Sequence, residues 1–551
     1  MSQFDRTTFC FQGITGNHVF RFFSPVKYDL RFDIWLRVLT KTLDSQTLAR
    51  EDIRMVDVGR PIQPNTTNVS TPTPIQAPSS QPPLAASSKR LVPWLIAVAF
   101  FMESLDTTIL NTAVPTIAGA LHVAPLSMKS VLASYTLSLA VFIPISGWMA
   151  DRFGTRRVFA SAIGIFTLGS FLCGISSNIH LLVACRILQG CGGSMMVPVG
   201  RLTVVRTFAK SELVRAMSFV AIPGLIGPML GPIAGGLIVG YFHWRLIFFV
   251  NIPIGLAGLL LVYLHLPDYR EHTNPLDVAG LILFGSGVAL LSYVLEVFGE
   301  HTLSVREILG LLALSVVLLA GYGFHATRTA HPMLNLILFR IRTFRAAVSG
   351  SFLTRLGIGG IPFLFPLLYQ VGLGFTPIQS GLLMMPQAIA AISLKVTMPR
   401  ILARFGYRAV LVSNTIIIGL LIVLFATIGK GTPLWLVVAE VFCYGFFTSL
   451  QYTSMNTLVY ADISDNQESG ASSIASTVQQ MAISFGVASA SLVTVFFLPD
   501  HSRSNPAQFI HGIHRAFFVL GGMTLLSTIV FRELKKGDGD AVSQRKEAHG
   551  G

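Results

Sequence analysis

Long apolar segments recur along the chain from about residue 92 onward, and short polar connections separate them. Most of these segments have the length of roughly 20 residues that a helix needs to cross a bilayer. They do not show the polar face of a surface helix in a soluble protein. The pattern therefore predicts an all-α polytopic membrane protein.

The apolar segments divide into fourteen predicted spans, which we number 1 to 14. Their predicted limits are 92–114, 128–149, 157–176, 180–203, 214–240, 246–266, 276–298, 304–325, 345–369, 378–398, 408–428, 433–455, 472–497 and 511–533.

Composition agrees with this assignment and removes one alternative. Hydrophobic residues make up 52% of the 551 residues and charged residues 12%, and the mean hydropathy is +0.64. A soluble domain has about 25% charged residues. The net charge of +14 does not indicate nucleic-acid binding, because the basic residues form short clusters between apolar segments.

The position of the basic residues predicts the orientation. One set of alternate loops contains Arg152, Arg156, Arg206, Arg270, Arg340 and Arg404, and the C-terminal tail adds Lys535 and Lys536. The opposite loops contain far fewer basic residues. The richer side is expected to be cytoplasmic. Both termini are then cytoplasmic, which agrees with an even number of spans.

The first ninety residues lack a long apolar segment. The stretch 61–88 is rich in Pro, Ser and Thr and cannot form a core. We interpret residues 1–90 as a cytoplasmic N-terminal tail that is either disordered or misannotated, with Met55 as an alternative start. Residues 534–551 form a cytoplasmic C-terminal tail.

An internal repeat predicts two similar halves. ADRFGTRRV at 150–158 aligns with ARFGYRAV at 403–410 at a constant offset of 252 residues. The repeat predicts an N-terminal six-helix bundle at 91–268, two additional helices at 276–325 and a C-terminal six-helix bundle at 345–533. Parallel repeats around a central pathway are typical of transporters.

Several motifs carry a resemblance to a known family. GWMADRFGTRRV, RILQGCGGSMMVP, GLIGPMLGPIAGG, LDTTILNTAVP and WRLIFFVNIPIG resemble motifs of the major facilitator superfamily. The fourth and fifth of these are similar to the fourteen-helix drug:proton antiporter branch. Within that branch, GWMADRFGTRRVF, MMVPVGRLTV and SMNTLVYADISDN resemble an enterobacterial multidrug-resistance type. The resemblance implies two six-helix bundles plus two central helices. It also implies multidrug efflux driven by proton influx across a bacterial inner membrane.

Span 1 contains two carboxylates, and span 4 begins with an arginine. Asp106 lies in the middle of span 1, where a carboxylate is costly and usually functional; a purely structural hydrogen bond is the alternative. Glu103 lies one turn earlier, where an entrance or interface role competes with proton handling. Arg186 needs an anionic partner, which Asp106 or Glu103 could supply. The resemblance implies that Arg186 assists proton coupling.

The loop between spans 2 and 3 resembles a family latch. Asp151, Arg152, Gly154 and Arg156 are its members, and the resemblance implies that they hold the outward-facing state. Ordinary positive-inside charge is the alternative, but it does not explain the aspartate or the glycine. The second copy of the repeat has Ala403 in place of Asp151, so the latch role does not extend to it.

Span 5 contains the glycine and proline motif that resembles the antiporter signature. Its residues are Gly224, Gly227, Pro228, Gly231, Pro232 and Gly235. The glycines at every fourth position form one stripe for close helix contact. We expect the span to seal one bundle against its neighbour, with an ordinary kinked packing helix as the alternative.

Three polar residues are candidates for a substrate cavity: Asn111, Arg355 and Glu440. Arg355 lies deep in span 9 and would favour an anionic substrate. It gives an alternative function, export of an anionic metabolite or a metal chelate such as citrate or iron-citrate. Glu440 lies near the outer end of span 12 and could be solvated. Amides such as Asn111, Asn414 and Gln451 are more often hydrogen-bond partners between helices.

The remaining chemistry argues against an enzyme. The five cysteines are scattered without metal-ligand spacing, and the sequence shows no nucleophile–base arrangement. We expect no cofactor and no metal site, with a proton gradient as the energy source. The expected partners are a small-molecule substrate, protons and the lipid bilayer, and the protein is expected to act as a monomer.

Overall fold

The computed structural model describes residues 86–208, 210–271, 275–297, 303–464, 467–497 and 506–539. The predicted tail up to residue 85 lies outside these ranges. The helices keep the numbers of the predicted spans: α1 Ala86–Ala120, α2 Lys129–Phe153, α3 Thr155–Ile175, α4 Ile179–Thr207, α5 Lys210–Tyr241, α6 Leu246–Phe249 with Asn251–His265, α7 Val278–Val297, α8 Val305–Arg328, α9 Arg342–Ile358 with Ile361–Pro366 and Leu367–Gly372, α10 and α11 within Pro377–Leu424, α12 Leu434–Leu458, α13 Glu468–Phe496, and α14 Pro506–Leu526 with Thr528–Phe531.

The helices are long and apolar enough to span a membrane. Thirteen candidate spans lie within the described ranges, and α5 adds the shorter apolar stretch Ile226–Tyr241. This result is consistent with fourteen spans. The helix α1 begins at Ala86, so the last five residues of the predicted tail are helical.

Local sequence signals begin several of these helices. The Asn178 side chain accepts a hydrogen bond from the Leu181 amide at 2.9 Å and caps α4. Ser304 with Glu307 and Thr376 with Gln379 form capping boxes at α8 and α10. The chain turns between α10 and α11 at Gly406, which has φ 73°. Its repeat counterpart Gly154, between α2 and α3, has φ 97°. Glycine adopts this region without steric cost.

Charged residues cluster at one end of the helices, which we call the basic face. It is defined by Arg152, Arg206, Arg270 and Arg342, at the ends of α2, α4 and α6 and the start of α9. Because successive spans alternate in direction, the other helix ends form the opposite face.

Three apolar cores show how the helices pack. Next to the opposite face, α1 to α4 and α6 share one continuous core with α9 to α14. Next to the basic face, α1 to α4 and α6 have a core of their own with part of α5, and α7 to α14 have another. Hydrogen bonds between the two halves agree with this arrangement of the cores. The Ser484 hydroxyl donates to the Ala133 carbonyl, and the Gln370 side chain donates to the Thr112 carbonyl at 2.8 Å. The helices are therefore joined next to the opposite face.

The additional helices α7 and α8 pack on each other. The Ser315 hydroxyl donates to the Gly287 carbonyl at 2.8 Å, and a Cβ at Gly287 would lie 2.9 Å from Leu319. Much of the α8 surface is apolar and exposed, including Val316 and Val317. This composition fits a helix that faces lipid.

Candidate functional site

A buried ion pair joins α1 to α4. Nη1 of Arg186 lies 2.6 Å from Oδ2 of Asp106, and both side chains are 1% exposed. Arg186 therefore pairs with Asp106 and not with Glu103. A buried arginine with a carboxylate partner has its charge compensated.

Two amides and a hydroxyl complete the surroundings of this carboxylate. Gln189 of α4 donates to Oδ1 of Asp106 at 2.9 Å, and Asn251 of α6 donates to the same oxygen at 3.0 Å. The Ser170 hydroxyl of α3 accepts from both amides, at 2.6 and 3.2 Å. Arg186 also donates to the Gln189 side-chain oxygen at 2.7 Å. Four helices thus fix one carboxylate.

The ring of Tyr135 supports the arginine from α2. Its centroid lies 4.1 Å from Cζ of Arg186, a cation–π distance. Glycines of α4 allow this approach, because a Cβ at Gly193 would lie 2.8 Å from the Tyr135 hydroxyl. A Cβ at Gly190 would lie 2.6 Å from Cβ of Ser138. These glycines therefore let α2 and α4 pack closely.

Glu103 lies outside the ion pair. It is half-buried, and its Oε2 is buried without a hydrogen-bond partner among the described residues. Its main charged neighbours are Arg201 of α4 and Asp106. Asn111 lies two helical turns further along the same face of α1 and is also half-buried. Both residues keep their predicted roles as predictions.

The predicted latch residues lie at the basic face. Oδ1 of Asp151 lies 2.7 Å from Nη2 of Arg206, which also contacts Glu271 at 2.8 Å. Arg152 is exposed, and the Arg156 amide donates to Asp268 at 3.2 Å. These contacts join α2, α4 and the segment after α6. The role as a latch of an outward-facing state stays a prediction.

The glycine stripe of α5 contacts α1. A Cβ at Gly227 would lie 2.6 Å from Ser104, and one at Gly231 would meet Thr108 and lie 3.0 Å from the Ile109 amide nitrogen. A Cβ at Gly235 would meet the Ile109 carbonyl. The surroundings of Gly224 lie outside the described side chains.

Other atoms of α5 contact the C-terminal half. A Cβ at Gly236 would lie 2.6 Å from the Pro377 carbonyl, and the Pro232 carbonyl packs on Gly381 of α10. Pro228 is exposed and Pro232 is buried. The glycine stripe therefore makes a close helix contact within the first half, and Pro232 and Gly236 of the same span contact the second half. The sealing role of the span stays a prediction.

Arg355 of α9 is buried at 2% exposure. It donates to the Ser351 hydroxyl at 2.9 Å and to the Asn456 side chain at 3.4 Å. Its Cζ lies 3.8 Å from the ring centroid of Tyr452. Among the ion pairs of the described ranges, none includes Arg355. This guanidinium therefore differs from Arg186, which has a carboxylate.

Glu440 of α12 is 5% exposed, so the expectation that solvent could reach it at the end of the span was wrong. Glu440 lies close enough to Tyr369 of α9 to interact with it electrostatically. Two amides of the C-terminal half form the predicted hydrogen bond between helices, since Asn414 of α11 donates to Gln451 of α12 at 2.8 Å. Among the described residues, no group of three metal-ligating side chains is present.

Sequence reasoning missed four members of the Asp106 site: Tyr135, Ser170, Gln189 and Asn251. Gln189 and Asn251 lie within two of the family-like motifs, and a buried amide in an apolar segment was the available signal. Nothing in the local sequence distinguishes Tyr135 or Ser170 from other residues of their helices.

Comparison with known proteins supplies the family. The Major Facilitator Superfamily model matches residues 96–487 and 347–550. The chain is 43% identical over 418 residues to the "Putative multidrug resistance protein MdtD" of Serratia proteamaculans, covering 76% of this chain and 87% of the relative. It is 42% identical over 408 residues to the protein of the same name from Escherichia coli O9:H4, covering 74% and 87%.

Solved transporters share the fold. A D-xylose-proton symporter matches with TM-score 0.58 and 14% identity, covering 81% of this chain and 98% of that chain. A POT family transporter in complex with a thioalcohol-conjugated peptide matches with TM-score 0.60 and 15% identity, covering 80% and 95%. With a family match over most of its length and relatives above 40% identity, the chain belongs to the major facilitator superfamily.

Proposed function

We propose that the protein is a proton-coupled efflux transporter that exports small molecules from the cytoplasm by alternating access. The observation that carries this proposal is the buried Asp106–Arg186 pair, which links two helices through a group that can bind a proton. The multidrug-resistance names of the relatives agree with it. The basic face is then cytoplasmic, in a bacterial inner membrane.

The geometry supports a proton-dependent change in helix contacts. Binding of a proton at Oδ2 of Asp106 would remove the charge that holds Arg186 at 2.6 Å. Arg186 would keep its contacts with Gln189 and the Tyr135 ring. The carboxylic acid would keep the two amide donors at Oδ1. Protonation therefore weakens one contact between α1 and α4 selectively, which is what a switch between two states needs.

The continuous core next to the opposite face fits a state that is closed on that side. With the basic face cytoplasmic, this is an inward-facing state. The latch residues Asp151, Arg152 and Arg156 then act in the other state, when the cytoplasmic ends of the two halves meet.

Substrate-induced proton movement in everted vesicles tests the proposal. Addition of an exported dye should collapse a preformed proton gradient, and Asp106→Asn should abolish the collapse. Asn414→Ala changes a buried polar residue of α11 and serves as the control. Unchanged dye-induced proton movement in Asp106→Asn would show that Asp106 does not couple the two flows.

Export of an organic anion is the second candidate function. Arg355 favours it, because its buried guanidinium has hydrogen bonds and an aromatic ring but no carboxylate among the described residues. A carboxylate of a substrate such as citrate or its iron chelate could take that place. Parallel assays with cationic dyes and organic anions separate the candidates. Loss of anion export in Arg355→Gln, with dye export retained, would favour the anion.

A further inference from the structure

Every fourth residue along most of α12 is polar: Glu440, Tyr444, Thr448, Tyr452 and Asn456. Residues four apart are neighbours on a helix, with Cβ atoms about 5–6 Å apart. The series covers about 24 Å along the helix axis, most of the thickness of a bilayer core. We call these five residues the α12 ladder.

Three residues of the ladder are buried, and the last two are more exposed. Glu440, Tyr444 and Thr448 are 5%, 0% and 4% exposed. Tyr452 is half-buried and Asn456 is exposed. Asn456 lies near the end of α12 at the basic face. Solvent is therefore excluded from the Glu440 end of the ladder, which we call the closed end. Solvent can reach the Asn456 end at the basic face, which we call the open end.

The three buried residues of the ladder have polar atoms without hydrogen-bond partners in the described ranges. Oε2 of Glu440, the hydroxyl of Tyr444 and Oγ1 of Thr448 have no hydrogen-bond partner among the described residues. Tyr444 and Thr448 lie beside each other without a well-formed hydrogen bond. The Tyr369 hydroxyl, on which Glu440 acts electrostatically, is also unpartnered. Each such group costs about 1–3 kcal/mol when it is buried, so a purely structural role does not explain them.

Aromatic rings pack on one another next to the closed end. The Phe365 and Tyr369 rings stack with centroids 5.5 Å apart, and Phe425 meets Tyr444 at 5.2 Å. Tyr369 belongs to the π-helical turn Leu367–Gly372, a type of turn that is frequent at functional sites. A charged carboxylate is costly among such rings, whereas a protonated one is neutral. These surroundings favour Glu440 as a group that binds a proton.

We propose that the α12 ladder is a proton path between the basic face and Glu440, and that Glu440 is a second proton-binding carboxylate of the transport cycle. The proposal rests on the proposed proton-coupled export. Hydroxyl groups suit such a path because each can donate and accept a hydrogen bond. The carboxylic acid of Glu440 gives its proton to the Tyr444 oxygen as that hydroxyl gives its own to Thr448. The proton passes on through Tyr452 to water at Asn456 and leaves Glu440 as a carboxylate.

A positively charged side chain, Arg355, faces the ladder near its open end and opposes a proton there in either direction of travel. Arg355 lies over Tyr452 at 3.8 Å, so its positive charge disfavours a proton that stays at the open end. Tyr369 is the titratable group of α9 that faces Glu440, and Tyr444 is its neighbour on α12 itself. In the state described, the path connects Glu440 to the basic face alone, because the aromatic core covers the other side.

Infrared difference spectroscopy after a pH jump tests proton binding on the purified full-length protein. The wild type should show a protonated-carboxyl band that Glu440→Gln removes. Tyr444→Phe and Thr448→Val should keep the band and slow its appearance at least about tenfold. Tyr407→Phe alters a buried tyrosine that bonds to Thr457 outside the ladder, and it should leave amplitude and rate unchanged. An unchanged band in Glu440→Gln, or unchanged rates in both hydroxyl variants, would overturn the proposal.

Reconstituted vesicles test the link to transport. Glu440→Gln should lower the number of protons moved per exported dye molecule, while dye exchange without a gradient continues. A wild-type ratio in Glu440→Gln would overturn the role of Glu440 in the cycle. If the wild type exports dye without proton movement but shows the Glu440 band, coupled export fails and proton binding at Glu440 stands.

Discussion

Nη1 of Arg186 lies 2.6 Å from Oδ2 of Asp106, and the two side chains come from largely apolar helices. Removal of one partner of such a pair leaves an uncompensated buried charge, which costs about 3–5 kcal/mol. Removal of both leaves no charge.

We therefore predict that Asp106→Asn or Arg186→Gln lowers the free energy of unfolding by about 3–5 kcal/mol, and that the double variant loses less than the sum. Thermal unfolding of purified protein in detergent measures the differences. Additive losses in the double variant would show that the pair contributes no coupling energy.

Asn251 should be needed for proton coupling at Asp106. It donates to Oδ1 of Asp106 at 3.0 Å, and a hydrogen bond to a charged group contributes about 1.5–3 kcal/mol. Asn251→Leu removes a donor that stabilises the carboxylate. Asn251→Leu should therefore lower dye-induced proton movement in everted vesicles about tenfold, the factor that a loss of about 1.4 kcal/mol gives.

The matched control is Asn414→Leu, which removes a buried amide of the other half that bonds to Gln451 and the Phe447 carbonyl. Proton movement in Asn414→Leu should equal that of the wild type. Wild-type proton movement in Asn251→Leu, or equal losses in both variants, would contradict the assignment of Asn251 to the Asp106 site.

The spans were predictable because lipid imposes a simple rule on sequence. A spanning helix needs about 20 apolar residues, and the predicted segments recur as helices with limits that differ by a few residues. The turn glycines Gly154 and Gly406 were also visible, as members of the repeat. Asp106 and Arg186 were recognisable because charge is rare inside such segments.

Side-chain partners were less predictable because they depend on the rotation of each helix about its axis. Asn251 lies in α6, 145 residues from its partner Asp106. The glycine stripe of α5 indicated close contact but not with which helix, and it packs on α1. Glu440 lies near the outer end of its span, a position that gave no sign of its burial.

Asp538 at the basic face should make stability depend on pH. Burial raises the pKa of its carboxyl, but hydrogen bonds from Arg342, at 3.0 and 2.5 Å, and from the Lys535 amide outweigh burial and lower it. A lowered folded-state pKa stabilises the fold above the ordinary value of about 3.9, and the contribution disappears as the pH falls through the folded-state pKa.

We predict that Asp538→Asn lowers stability at pH 7 by about 1 kcal/mol, since Arg342 is partly exposed. The difference from the wild type should close as the pH falls toward 3 in thermal unfolding. Glu533→Gln is the control, because Glu533 and Arg345 are about half exposed and 3.4 Å apart; it should change little at either pH. A difference for Asp538→Asn that persists at pH 3 would contradict the ion-pair explanation.

The α1–α5 contact should tolerate no added side chain at Gly231. A Cβ there would meet Thr108 and lie 3.0 Å from the Ile109 amide nitrogen, and backbone cannot move aside as a flexible side chain can. Gly231→Ala should therefore lower stability by about 1–3 kcal/mol, the usual cost of overpacking. Gly164→Ala in α3 is the control, because nothing lies within 4 Å of its added Cβ. Thermal unfolding of both variants measures the loss of stability of each. Equal unfolding temperatures would mean that α1 and α5 can separate without loss, and the close contact between them would then have no part in holding the first half together.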